Sequence, residues 1–259
     1  MGYALPVAVA IAAWWLSTVL IIYRAGMPRR SFLATLAGAT VIVAIGIWAL
    51  AVSRNDTSVS GAYFAFLGGL AIWGWHEVSY LFGFISGPRP EACPPGCTGW
   101  QRFVLGVKTC LYHELAVLAT VAVLAAVLWQ AENQVGLWTF VILWLMRWSA
   151  KLNIFLGVRN LHEEFWPEHL SYLTTFVRRR PMNELFPVSV LVATLGAIAL
   201  VVSAVGAADD LAWRAGAILL ATLLALATLE HWLLVLRVND DALWRPGMRS
   251  RRDSGAPAN

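Results

Sequence analysis

The sequence predicts an all-α fold, a polytopic integral membrane helical bundle with about seven transmembrane helices. Of its 259 residues, 59% are hydrophobic and only 13% are charged, whereas soluble domains carry about 25% charged residues. Apolar stretches of about twenty residues, long enough to cross roughly 30 Å of hydrocarbon, recur along the chain. Barrel-type strands of alternating polarity are absent, so the spans are expected to be helices that satisfy their own backbone polar groups.

The spans are predicted in chain order at approximate boundaries. They run over about residues 4–23, 31–52, 61–85, 103–129, 135–157, 184–206 and 211–237. The first, second and sixth have no charged residue in their interiors, which is typical of a lipid-facing perimeter. The third, fourth and seventh each contain a histidine beside a glutamate, and the fifth contains Arg147 and Lys151.

The links between spans are short, so residues 1–240 are predicted to form a single transmembrane domain. It includes an amphipathic segment on the cytoplasmic side near residues 159–180. The tail 241–259 is basic and is expected to be disordered. The first ten residues contain no basic residue and do not resemble a cleaved signal peptide.

The orientation follows from the basic residues, which concentrate in cytoplasmic loops of membrane proteins. Every odd-numbered link and the tail are basic, whereas the even-numbered links are not: the second contains only Arg54, the fourth contains no basic residue, and the sixth contains Arg214 beside two aspartates. The basic residues of the odd-numbered links and the tail are Arg24, Arg29, Arg30, Arg89, Arg102, Lys108, Arg159, Arg178, Arg179, Arg180, Arg245, Arg249, Arg251 and Arg252. The alternation supports the span count and predicts the N-terminus outside and the C-terminus in the cytoplasm. The protein is therefore expected to contact the lipid bilayer, and nucleic acid is an unnecessary partner.

All five histidines of the chain adjoin a glutamate, a neighbour that chance would supply roughly 7% of the time on composition. Together with Glu164, which follows one of these pairs, they form the candidate site. Its residues are His76, Glu77, His113, Glu114, His162, Glu163, Glu164, His169, Glu230 and His231. Three of the pairs lie in the inner half of spans three, four and seven. If Pro167 turns the chain back, His162 and His169 close the site from below.

Imidazole and carboxylate groups together suit transition metals better than Ca²⁺ or Mg²⁺. One or two ions of Fe, Zn or Mn are therefore the cofactor hypothesis, because bundles hold paired iron through Glu and His from four facing helices. Spans three, four, five and seven would form that core. Ionisable groups within a bilayer indicate function by default.

Three alternatives stay open. Arg147 and Lys151 of span five could neutralise Glu77, Glu114 or Glu230 without any metal. The stretch 162–169 could be a solvated interfacial segment. One histidine could instead be an axial ligand of a tetrapyrrole metal. The spacings typical of metal sites, such as Glu-x-x-His or His-Glu-x-x-His, do not occur in the chain.

Cys93 and Cys97, in the stretch CPPGC, belong to a link predicted to face the cytoplasm. Thiols stay reduced there, so we expect ordinary loop thiols rather than a disulfide. The sequence contains no Walker loop, no GxSxG elbow and no Rossmann fingerprint, which argues against nucleotide-driven and serine-hydrolase chemistry.

Four stretches carry a family resemblance: WHEVSYLFGFISGPRP (75–90), YHEL (112–115), AKLNIFLGVRNLHEEFWPEHLSYL (150–173), and EHWLLVL with DDALW (230–236 and 240–244). Through them the chain resembles the photosynthetic complex assembly protein 2 family (PuhE type) of purple phototrophic bacteria, over nearly its whole length. The resemblance implies an inner-membrane protein that assists assembly of the reaction-centre and light-harvesting complex, or supplies bacteriochlorophyll to it. The implied partners are reaction-centre and light-harvesting subunits or pigment-synthesis proteins.

Two functional hypotheses follow from the residues and the resemblance together. The first is an assembly factor that binds pigment or complex subunits, with a centre that holds a structural ion, bacteriochlorophyll or a precursor of it, or no cofactor. The second is a metal-dependent, di-iron-like membrane oxidoreductase that acts on a tetrapyrrole or another lipophilic substrate. Pairing of the glutamates with Arg147 or Lys151 would favour the metal-free form of the first.

Overall fold

A computed structural model describes residues 2–161, 166–207, 209–237 and 245–248. Seven long helices follow one another: α1 (Ala4–Ala25), α2 (Phe32–Ser53), α3 (Val59–Leu81), α4 (Gly99–Leu128), α5 (Val135–Leu156), α6 (Leu185–Gly206) and α7 (Leu211–Leu233). The only extended pairing within the described ranges is a single bridge between Val158 and Arg179. The all-α fold class is therefore confirmed.

Six of the described helices, all except α3, are long and apolar enough to cross a membrane. The chain is thus a multi-pass membrane protein by the length and composition of its helices. The exception is the innermost helix: α3 contacts α1, α2, α4, α5 and α7. Because α3 faces protein on most sides, it buries glycines and a histidine where a lipid-facing helix would carry leucine or valine.

The remaining helices surround α3 unequally. α2 packs along α3, and α6 packs along α7. On the side away from its partner, α2 has a row of exposed apolar side chains, and so does α6. We expected α4 to be one of four core helices, but it also has a long exposed face. The exposed apolar side chains of α4 include Val107, Leu115, Leu118, Val123 and Val127. α4 contributes to the interior mainly through one side, which contains His113 and Val117.

Close helix contacts depend on glycines of α2, α3 and α5. A Cβ atom on Gly69 of α3 would collide with the carbonyl oxygen of Gly136, which belongs to α5. A Cβ atom on Gly136 would in turn lie 2.7 Å from the carbonyl oxygen of Ala65. On the other side of α3, a Cβ atom on Gly68 would lie 2.7 Å from the carbonyl oxygen of Gly46 in α2. Small residues at these crossings let the backbones approach as transmembrane helices often require.

We predict that Gly69→Ala destabilises the bundle, because the added methyl group collides with the backbone of α5. Overpacking of this kind typically costs about 1–3 kcal/mol, which thermal unfolding in detergent would detect as a lower midpoint. Gly74→Ala is the matched control on the same helix, since a Cβ atom there meets nothing within 4 Å. Equal midpoints for the two variants would show that the α3–α5 crossing does not need the glycine.

The link between α5 and α6 lies against the ends of several helices. Its described part contains a 3-10 helix, Glu168–Phe176, which buries Leu170 and Phe176. Asn160 donates hydrogen bonds from Nδ2 to the carbonyl oxygens of Leu233 and Leu236 at the end of α7. Most of the predicted disordered tail, 241–259, lies outside the described residues.

The link between α3 and α4 differs from expectation at its two cysteines. We predicted free thiols, but the structure pairs Cys93 and Cys97 as a disulfide. The physical reason is the turn between them: Gly96 adopts a φ of +79°, and Cys97 donates its backbone N–H to the carbonyl oxygen of Pro94. This turn places the two Cα atoms 6.4 Å apart, within disulfide range.

Candidate functional site

Two ion pairs lie between the helices at the predicted polar centre. Glu77 of α3 forms a salt bridge with Arg147 of α5, with 3.1 Å between Oε2 of the carboxylate and Nη2 of the guanidinium group. Glu114 of α4 pairs with Lys151 of α5 at 2.6 Å. Arg147 and Lys151 lie one helical turn apart, so α5 presents both cations on one side and attracts a carboxylate from each neighbouring helix.

Further contacts fix the second pair in position. The indole Nε1 of Trp148 donates a hydrogen bond to the other carboxylate oxygen of Glu114. The ammonium group of Lys151 lies 4.8 Å from the centre of the Tyr80 ring, which gives it a cation–π contact with α3. Both oxygens of Glu114 therefore have a donor, as a carboxylate removed from water requires.

Glu230 of α7 adds a third carboxyl group to the centre. Its carboxyl group interacts electrostatically with Arg147 and with Glu77. The centre thus contains three carboxyl groups and two cations from four helices, α3, α4, α5 and α7. These are the four helices that the sequence predicted for the polar core.

His76 of α3 is buried and lies at the edge of this centre. Its Nε2 is 3.0 Å from the hydroxyl oxygen of Thr120, which itself donates to the carbonyl oxygen of Ala116. Since the threonine has only one hydrogen to donate, Nε2 is the donor in the contact with His76. A neutral imidazole then has a lone pair on Nδ1, for which the described residues offer no hydrogen-bond partner.

His113 of α4 is only 1% exposed and lies between aromatic rings. Its ring centre is 4.6 Å from that of Tyr80 and 6.2 Å from that of His76. Its Nδ1 also has no hydrogen-bond partner among the described residues. The two histidines are therefore near neighbours, as the sequence predicted for spans three and four.

His231 of α7 belongs to a separate hydrogen-bond network. Its Nδ1 is 2.8 Å from the carbonyl oxygen of Ala227, so that nitrogen is the donor. Its Nε2 then accepts from the hydroxyl group of Ser149, at 2.9 Å. Asn153 extends the network by donating to the hydroxyl oxygen of Ser189 on α6. Both nitrogens of His231 are satisfied, which is typical of a structural histidine.

His169 lies on the 3-10 helix Glu168–Phe176, below the ends of α2 and α3. Its ring centre is 5.9 Å from that of Phe32, and its Cδ2 atom would be 3.2 Å from a Cβ atom on Gly83. Burial in this position lowers the pKa of His169 from its ordinary value. Pro167 does return the chain to the bundle, but His169 packs against these helix ends.

The part of the chain that the structure describes contains no group of three His, Cys, Asp or Glu side chains placed to hold a metal ion. Glu77 and Glu114 instead pair with the cations of α5. His162, Glu163 and Glu164 of the candidate site lie outside the described residues. A metal centre that includes them stays a prediction.

Several residues of the centre were not singled out from the sequence. They are Tyr80, Thr120, Trp148, Ser149 and Asn153. Serine, threonine and tyrosine are common in transmembrane helices, and nothing in the spacing of these residues marks them. Asn153 could have been identified from the sequence, because an amide side chain within an apolar span requires hydrogen-bond partners.

Comparison with known proteins places the chain in a family. A family model described as "Protein of unknown function (DUF3623)" matches residues 1–255. The chain belongs to the DUF3623 family. It is also 39% identical over 238 residues to the "Uncharacterized 30.4 kDa protein in puhA 5'region" of Rhodobacter capsulatus, an alignment that covers 90% of this chain and 86% of the relative. No solved structure matches the chain.

We predict that Glu114→Gln and Lys151→Met each destabilise the protein, because each leaves the partner charged and unpaired in a low-dielectric setting. Breaking a buried pair in this way costs about 3 kcal/mol or more. The double variant should recover most of the loss, since it buries no charge. The unfolding midpoints of the wild type, the two single variants and the double variant in detergent form a double-mutant cycle. If the losses of the two single variants simply add in the double variant, the two side chains do not interact.

Proposed function

We propose that this chain is a PuhE-type integral membrane factor that assists assembly of the photosynthetic reaction-centre and light-harvesting complex, or supply of bacteriochlorophyll to it. One observation carries the proposal: the name of the relative from Rhodobacter capsulatus places it in the puhA 5' region, a photosynthesis gene region. The identity extends over most of both chains. The His–Glu stretches that resemble the assembly family support the same role.

The geometry of the centre favours the metal-free form of this function. Two glutamates are engaged by Arg147 and Lys151, and His231 has a hydrogen-bond partner on each nitrogen. In this proposal these groups are structural partners of one another rather than metal ligands. The ion pairs connect α5 to α3 and α4 inside the bilayer. In this proposal they hold the helices in the arrangement that binds a subunit or pigment.

The proposed topology has seven spans in the inner membrane, with the N-terminus outside and the C-terminus in the cytoplasm. The 23 residues of α3 extend about 35 Å at 1.5 Å per residue, enough to cross the hydrocarbon despite its lower hydropathy. With α3 counted as a span, every basic link lies on one side.

Reporter fusions test this topology. We predict that a fusion after Arg237 reports the cytoplasm, whereas a fusion within the α2–α3 link, after Asp56, reports the periplasm. An alkaline phosphatase and a green fluorescent protein fusion at each position give opposite readouts and control for expression. If both positions lie on the same side, α3 does not cross the membrane.

Complementation tests the function. In a purple phototrophic bacterium that encodes this protein, deletion of the gene should reduce the near-infrared absorption of the reaction-centre and light-harvesting complexes. The wild-type gene should restore it, Arg147→Gln should restore it poorly, and Arg30→Gln, in an exposed link, should restore it fully. Normal complexes in the deletion strain would refute the assembly role.

Elemental analysis of the purified protein separates this function from the oxidoreductase hypothesis. The metal-free form predicts far less than one transition-metal ion per chain, with no change in His76→Ala or His113→Ala. Stoichiometric Fe, Zn or Mn that is lost in these variants would favour the oxidoreductase. An absorption spectrum of the same sample detects a bound bacteriochlorophyll or a precursor.

A further inference from the structure

A cavity of about 480 Å³ lies between α2, α3 and α4, apart from the ion-paired centre. Its walls are almost entirely aliphatic and aromatic. Val43 and Arg54 line it from α2 and its C-terminal end, His76 lines it from α3, and Ala119 and Thr120 line it from α4.

The cavity has two different ends. At one end is Arg54, the only basic residue in the link between α2 and α3. At the other end, His76 and Thr120 hydrogen-bond to each other. From Val43 to Arg54 the wall formed by α2 is about 16 Å long at 1.5 Å per residue. This length is about half of the roughly 30 Å hydrocarbon thickness, so the cavity extends through one leaflet.

The positive charge of Arg54, at the open end of the cavity, is available to a ligand. The side chain of Arg54 is exposed and forms no ion pair with a described residue. Asp56, the nearest acid in the sequence, accepts the backbone N–H of Ser58 at 2.8 Å. An anionic headgroup could therefore approach Arg54, while an apolar chain attached to it would fill the space below.

The dimensions of the cavity suit a small molecule. Its volume lies within the range of small-molecule sites, about 300–1,000 Å³. A single acyl chain with a phosphate at its surface end matches the length, the apolar walls and the position of the cation.

We propose that this cavity is a binding site for an anionic phospholipid, with one acyl chain between α2 and α4 and the phosphate at Arg54. The bound chain replaces helix contacts that α4 lacks on this side, so the lipid fixes α4 against α2 and α3. This inference is independent of the assembly function, because it depends only on the cavity and its charged mouth.

The test uses the full-length protein in nanodiscs of phosphatidylglycerol and phosphatidylcholine, followed by native mass spectrometry in mild detergent. The wild type should retain one phosphatidylglycerol in at least fivefold preference over phosphatidylcholine. Arg54→Gln should abolish the preference, and Ala119→Trp should abolish retention because the indole fills the cavity.

Matched controls keep the two variants interpretable. Leu118→Trp adds the same ring on the neighbouring residue, whose side chain is exposed to the surroundings and does not line the cavity. Arg30→Gln removes an exposed arginine from another link. Both controls should retain phosphatidylglycerol as the wild type does. The unfolding midpoint of each variant verifies that it is folded, and Arg54→Gln alone tests the site if Ala119→Trp fails to fold.

Three results would overturn the proposal. They are retention unchanged by both Arg54→Gln and Ala119→Trp, equal retention of the two lipids by the wild type, and release of a visible-absorbing pigment from the cavity instead of a phospholipid. The last result would assign the site to a tetrapyrrole, and Ala119→Trp would then remove the absorption band.

Discussion

The pairing of charges across α5 is the interaction on which the interior of this bundle depends. A charge buried among apolar helices is costly unless it is paired. Arg147 and Lys151 have a carboxylate beside them, and Glu77 and Glu114 are paired with these cations. Each pair connects two helices, so electrostatics selects which helices become neighbours. Apolar side chains alone make this selection poorly, because lipid tails solvate leucine as well as a neighbouring helix does.

Close packing of α3 supports these pairs. Glycines at its crossings with α2 and α5 bring the backbones into contact, and the polar side chains of α3 then reach their partners on α4 and α5. This central position also explains its low hydropathy. A helix enclosed by other helices has little lipid to face, so histidine, glutamate and glycine are tolerated there when their polar groups are matched.

The arrangement divides the four described histidines by environment. His231 is held by Ser149 and a backbone carbonyl, and His169 packs below the helix ends. His76 and His113 lie side by side, each with one nitrogen that has no partner among the described residues. Nε2 of His169 is likewise buried without a hydrogen-bond partner among the described residues. His76 also lines the cavity between α2, α3 and α4.

The sequence by itself determined the fold class and the presence of several membrane-spanning helices, and it located the ionisable residues of the predicted polar core on four of them. The reason is that hydropathy, helix length and the placement of ionisable residues are local properties that a bilayer constrains strongly. It also offered Arg147 and Lys151 as partners for the glutamates, but could not choose between them and a metal ion. That choice depends on how the side chains of different helices are placed relative to one another. Adjacency in the sequence does not reveal this placement, because neighbouring residues on a helix point in directions about 100° apart. Only the tertiary structure decided that His169 packs away from the other histidines, that Thr120 and Ser149 hold the imidazoles, and that α4 leaves a cavity beside α2. Each of these depends on distances between residues far apart in the chain.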